Sequence, residues 1–151
     1  MAARLVLTPA TMILDRLTPD HHDSRIPATP PPDYAAGLAF HSRGHGQPIV
    51  LLHGLASSRA AYNTIFDSLA RHNRVIAVDL PGHGDSDPVD PGTPLTPRAQ
   101  AHALGEFLDA LGIERVHVVG NSMGGWVALE LAADGRALSV TGLCTAGLWQ
   151  P

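Results

Sequence analysis

Apolar runs of strand length that alternate with segments of helical period constrain this chain more than any other feature. Ile49-Val50-Leu51-Leu52 and Val75-Ile76-Ala77-Val78 are apolar at every position, the sign of strands covered on both faces. Residues 116–119 and 138–143 read as a third and a fourth buried strand. Between the first two, Ser57 or Ser58 precedes Tyr62, Phe66 and Leu69 at i, i+4 and i+7, which predicts a capped amphipathic helix. Thr96-Pro97 opens a second helix, with Leu104, Phe107, Leu108 and Leu111 on one face and Gly112 as its stop. A third is expected over residues 123–134, ended by Gly135. Strands and helices taking turns in this way need crossover connections. The fold class is therefore α/β, a doubly wound, mostly parallel sheet covered by helices.

The amino-terminal end differs in kind. Residues 1–36 hold six of the 13 prolines, Pro30-Pro31-Pro32 among them, and a His21-His22-Asp23 cluster. Prolines withhold backbone donors, so this stretch is expected to be a partly disordered extension with at most a short helix over residues 12–17. Residues 37–151 form the core domain, in which Leu38 and Phe40 mark a modest strand turned at Arg43-Gly44-His45-Gly46.

Composition removes several functions. The net charge of −4 offers no electrostatic case for nucleic acid or an anionic membrane surface. All ten basic residues are arginine, and a Walker phosphate loop, a Ser-Lys dyad and a Schiff-base enzyme each need a lysine. Cys144, the single cysteine, excludes an internal disulfide and reads as a small core residue. No apolar run reaches the roughly 18 residues of a membrane span, and Pro9 and Asp15 break the first apolar stretch, so a cytoplasmic location is expected. The nine histidines are scattered without a paired spacing, which predicts neither metal nor cofactor.

One pentapeptide carries the chemistry. Gly120-Asn121-Ser122-Met123-Gly124 joins a predicted strand to a predicted helix, a turn so tight that flanking side chains would collide. It lifts the Ser122 oxygen above the sheet at a helix N-terminus, where partial positive charge favours a developing anion. His53-Gly54-Leu55 ends the strand over residues 49–52. Gly54 is expected to turn the chain so that the Leu55 N–H joins the Met123 N–H as an oxyanion hole. His53 reads as a structural, hydrogen-bonding histidine, and the loop Asp79-Leu80-Pro81-Gly82-His83-Gly84-Asp85-Ser86 as scaffold throughout.

Leu51-Leu52-His53-Gly54, the Asp79–Ser86 loop and Gly120-Asn121-Ser122-Met123-Gly124-Gly125 resemble three successive signatures of the α/β-hydrolase superfamily, in its order and approximate spacing, over residues 37–149. The resemblance implies that the His53 and Ser122 strands are neighbours at the topological switch point. It implies a serine hydrolase cleaving ester or carbon–carbon bonds of a small molecule, and Ser122 in place of aspartate argues against dehalogenation. It also implies a triad whose acid and histidine follow the serine. The 29 residues after Ser122 contain no histidine, and Asp134 lies at the far end of the helix, roughly 18 Å away. Residues 145–151 resemble the exit to the family's cap domain, so the sheet is expected to stop after about the sixth family strand. That would leave residues 138–143 as an apolar edge open to self-association. The alternative to an enzyme is an inactive relative that binds a ligand or partner.

Overall fold

The computed structural model describes residues 30–148, so the helix expected over residues 12–17 and most of the proline-rich stretch lie outside the described residues. Six strands form one sheet: β1 (Asp33–Ala35), β2 (Leu38–Arg43), β3 (Pro48–Leu52), β4 (Arg74–Val78), β5 (Val116–Asn121) and β6 (Ala137–Leu143). Their order is β1-β2-β4-β3-β5-β6, with β1, β2 and β4 paired antiparallel and β4, β3, β5 and β6 parallel. Asp33–Ala35, placed by the sequence in the extension, pairs with β2 through a two-residue turn. Ala36 (φ 46°) and Gly37 (φ 75°) both take the left-handed conformation that such a turn requires.

Three helices cover the sheet: α1 (Asn63–Leu69), α2 (Pro97–Ala110) and α3 (Met123–Ala133). The chain steps from β3 outward to β4, then returns across β3 to β5. Right-handed crossovers running in opposite directions place their helices on opposite faces. On one face Leu104, Phe107 and Leu108 of α2 and Val127 and Leu131 of α3 bury Phe40, Val50, Leu52, Ile76 and Val78, with the Phe40 and Phe107 rings edge to face at 5.2 Å. On the other, Tyr62 and Ala70 cover Leu51, Val75 and Ala77. The crevice between the ends of β3 and β5 is where the winding reverses.

Helix α2 follows its sequence signals. Thr96 Oγ1 accepts the Ala99 N–H at 3.1 Å, Pro97 holds the first position, and Gly112 leaves with φ 67°. The first predicted helix does not. It is split into a 3₁₀ turn (Arg59–Tyr62) followed by the seven residues of α1, and Ser58 makes no side-chain cap. The Arg59 N–H is instead accepted at 2.6 Å by the Asp79 carboxylate at the end of β4, which pulls the segment against the sheet and tightens it.

Two further expectations are corrected. β6 is not buried on both faces: it pairs only with β5, and Leu138 and Leu143 are 40% and 44% exposed. No residue of β6 is buried, and Leu138 and Leu143 lie on opposite faces, as fits the last strand in the sheet order. Cys144 is exposed and takes φ 47°, because the chain turns back there instead of continuing into the core. Among the described residues no helix is long and apolar enough to cross a membrane.

Candidate active site

β5 ends at Asn121 and α3 begins at Met123, so Ser122 alone makes the turn between them. Its backbone sits at φ 52°, ψ −113°, a conformation worth about 1–3 kcal/mol of strain for a residue with a Cβ. Tertiary bonds hold it there. The Ser122 N–H donates to the Leu143 carbonyl (2.8 Å), and its own carbonyl accepts from Gly125 (3.1 Å), Trp126 (3.3 Å) and Ala146 (3.0 Å). A Cβ at Gly120 would overlap the Gly124 carbonyl, and one at Gly124 would overlap the carbonyls of Leu52 and His53. The first turn of α3 therefore rests backbone to backbone on the end of β3, which explains both glycines.

The Ser122 side chain is half-buried and makes no hydrogen bond with any described residue. Beside it runs the loop after β3. A Cβ built on Gly54 would stand 3.5 Å from Ser122 Cβ, an ordinary contact, and Gly54 has no positive φ. The left-handed residue of this loop is Ala56, at φ 53°, and Gly54 lies in ordinary contact with Ser122. Leu55 is 72% exposed. No described group accepts the N–H of Leu55 or of Met123.

His53 is fully buried at the end of β3. Its Nε2 lies 3.0 Å from the Leu80 N–H, which can only donate, so Nε2 accepts. The ring proton therefore sits on Nδ1 and is given to the Gly54 carbonyl at 2.7 Å. Both nitrogens are engaged, and neither is left to take a proton from Ser122. Burial pulls the His53 imidazole below its ordinary pKa, and the neighbouring His83 ring, 5.1 Å away, acts in the same direction. Because the folded value is depressed, the unfolded chain takes up this proton first. The stabilisation is complete above the unfolded value near 6.5 and is lost as pH falls from there toward the folded value. In thermal or urea melts from pH 7.5 to 5, wild type should lose stability more steeply than His53→Gln. The difference can reach about 1.4 kcal/mol per pH unit, the slope for one proton. Parallel profiles would mean that His53 does not carry this titration.

The loop after β4 is scaffold, as expected, but it is built around a partner the sequence reading missed. Asp79 is fully buried and accepts from the Arg59 N–H (2.6 Å), the Arg59 guanidinium and the Asp85 N–H (2.9 Å). Arg59 also reaches Asp85 at 2.7 Å. Ser86 Oγ donates to the Asp79 carbonyl and accepts from the Ala39 N–H, which ties the loop to β2. The one signal available was Asp79 itself, since a carboxylate at the end of a buried strand needs a cation nearby.

Two acids follow Ser122. Besides Asp134 there is Glu130, two turns along α3, and both face Arg98, at 2.8 and 3.7 Å. Neither is aimed at the serine. Tyr62 donates its phenol to the Leu52 carbonyl at 2.7 Å, and Gln100 reaches the Leu95 carbonyl and Met123 Sδ. Among the described residues no group of His, Cys, Asp and Glu could hold a metal.

The comparisons agree with this architecture. A family model described as alpha/beta hydrolase fold matches residues 47–150. Over 99 residues the chain is 42% identical to the dihydrolipoyllysine-residue acetyltransferase component of the acetoin cleaving system of Cupriavidus necator, covering 64% of this chain and 26% of that one. Over 101 residues it is 40% identical to the soluble epoxide hydrolase of Corynebacterium sp., covering 67% and 35%. Its structure resembles that of a thermophilic esterase from Thermogutta terrifontis, with TM-score 0.69 and 32% identity over 76% of this chain and 42% of the esterase. The chain thus spans about a quarter to a third of the length of these curated relatives. By the family match and by its strand order, the chain belongs to the α/β-hydrolase fold family.

Proposed function

We propose that this chain supplies the nucleophile of a serine hydrolase acting on a small-molecule ester or on a carbon–carbon bond next to a carbonyl. Ser122 Oγ attacks the carbonyl carbon, and the N–H groups of Leu55 and Met123 receive the oxyanion. His53, Gly54, Gly120 and Gly124 support the site without touching substrate. The observation that carries this reading is the backbone of Ser122, held at φ 52° between two glycines with no room for a Cβ. Strain of this kind persists only where surrounding structure enforces it, and it concentrates at functional sites. The two N–H groups without acceptors add to it.

The chemistry of serine separates the substrates named among the relatives. A serine acylated by an ester is itself an ester, which water cleaves to restore the hydroxyl. A serine that opened an epoxide would be left as an ether, which water does not release. Acyl substrates are therefore favoured over epoxides. The mechanism needs a base, and none of the described histidines bonds to Ser122, so the base must come from outside the described residues.

A fluorophosphonate probe with the adduct located by peptide mass spectrometry tests the assignment. The label should fall on Ser122 and vanish in Ser122→Ala. An adduct elsewhere with Ser122 unmodified would remove the nucleophile from this reading.

A further inference from the structure

Residues 54–58 form an arch from the end of β3, where Gly54 lies against Ser122, to the 3₁₀ turn, and both its feet stand on two consecutive residues. At the near foot, His53 Nε2 holds the Leu80 N–H. At the far foot, the Arg59 N–H and guanidinium hold the Asp79 carboxylate. Between the feet, residues 55–57 are exposed around a turn at Leu55-Ala56, and no described backbone group accepts their N–H groups, so the shape of the arch depends on where its feet are tied.

The far foot is built at the expense of stability. Asp79 is fully buried and the Arg59 side chain only 12% exposed, and a buried ion pair seldom repays the desolvation of its charges. Arg59 Nε is buried with no acceptor, a further penalty of about 1–3 kcal/mol. Gly84 is pressed so close to the Asp79 carboxylate that a Cβ there would overlap it. What this arrangement yields is direction. Arg59 binds Asp79 through one nitrogen and Asp85 through another, a fork that a single-point cation cannot copy.

We infer that Arg59 and Asp79 together are positioning residues that fix the arch carrying the Leu55 N–H beside Ser122. The link to catalysis rests on the reading of Leu55 as an oxyanion donor; the clamp itself rests on the geometry alone. With the Arg59 side chain released, the far end keeps only its backbone N–H bond to Asp79 and the more distant tie of Tyr62 to the Leu52 carbonyl, and the Leu55 N–H loses the contact that aims it. An oxyanion donor acts through placement to within about 0.5 Å, so its loss of aim is felt even though the N–H remains present.

The test uses the 151-residue chain with Arg59→Met, and ¹⁵N relaxation and fluorophosphonate kinetics as readouts. In wild type the amides of residues 55–57 should show order parameters near about 0.85. In Arg59→Met they should fall below about 0.6, while the Leu80 amide stays rigid and one cooperative melt remains. The maximal phosphonylation rate of Ser122 should drop about 10- to 100-fold with little change in reagent affinity, a fraction of the roughly 10²–10³ that a deleted oxyanion donor costs. A folded Arg59→Met chain with an arch as rigid as wild type overturns the inference. So does a loosened arch with an unchanged Ser122 rate. If Arg59→Met does not fold, Arg59→Met combined with Asp79→Asn decides. The double variant removes both buried charges and the guanidinium half of the clamp together, so it should mobilise the same three amides; unchanged order parameters there sink the idea equally. A loosened arch in a chain whose label falls on a residue other than Ser122 would uphold the clamp and remove the nucleophile reading to which it is linked.

Discussion

The 151-residue chain should turn over 4-nitrophenyl acetate about 10⁶-fold more slowly than a serine hydrolase with its base in place, the penalty for removing the histidine of a triad. The reason lies in how the described histidines are used. His53 has both ring nitrogens engaged, with Leu80 and Gly54. His83 faces the Pro81 carbonyl, His117 faces Ser139, and His102 lies along α2 beside Glu106. With these four engaged away from it, Ser122 is expected to react as a nearly neutral hydroxyl. With the oxyanion role proposed for the Leu55 and Met123 N–H groups, about 10³–10⁴ over the uncatalysed reaction would remain, so a weak Ser122-dependent rate is expected, rising with hydroxide and without a plateau near neutrality. Initial rates from pH 6 to 10 on wild type and Ser122→Ala check this. A sigmoidal profile with its midpoint below the ordinary imidazole range, with a burst of product, that disappears in His53→Gln would make His53 the base and overturn its structural assignment.

Gly124→Ala should lower the melting temperature by roughly 10 °C or more, while Gly105→Ala, 19 positions earlier, should raise it. At Gly124 the new methyl meets the carbonyls of Leu52 and His53, both fully buried at the end of the central strand. Backbone pressed on backbone cannot be relieved by a rotamer change, so either α3 lifts or β3 and β5 part. Overpacking of this kind costs about 1–3 kcal/mol and sometimes more, against a typical total of about 5–15. About 3 kcal/mol corresponds to a shift of roughly 10 °C for a domain of this size. At Gly105, within α2, the nearest atom to an added Cβ is Arg136 Nη1 at 3.7 Å, ordinary contact. There alanine gains about 0.5–1 kcal/mol in helix propensity. Thermal melts of the two variants decide the matter. A Gly124→Ala chain that melts at or above wild type would show that the elbow is looser than the packing implies.

Much of this molecule was legible in its residues because the signals were local. Continuous apolar runs marked β3 and β4, Thr96-Pro97 and Gly112 bounded α2, and Gly120 and Gly124 required the tight turn at Ser122. Where the reading failed, a partner distant in sequence had decided. Ser58 is well suited to cap a helix by local chemistry, yet Asp79, 20 positions from Arg59, takes that N–H. Residues 138–143 looked buried because the parallel pattern was extended to them. They are exposed on both faces instead, because β6 is last in the sheet order and only β5 lies beside it among the described residues.

The sequence by itself determined the fold class, the positions of three parallel strands and the serine on its turn, since periodicity and steric exclusion act between near neighbours. Only the tertiary structure decided that both ring nitrogens of His53 are engaged, because its tautomer follows from the Leu80 N–H, 27 positions away. Only the tertiary structure likewise brought Arg59 onto Asp79 and set Gly54 against Ser122. Hydrogen bonds and ion pairs between distant elements depend on directions in space, and a linear pattern carries no record of direction until the sheet has closed.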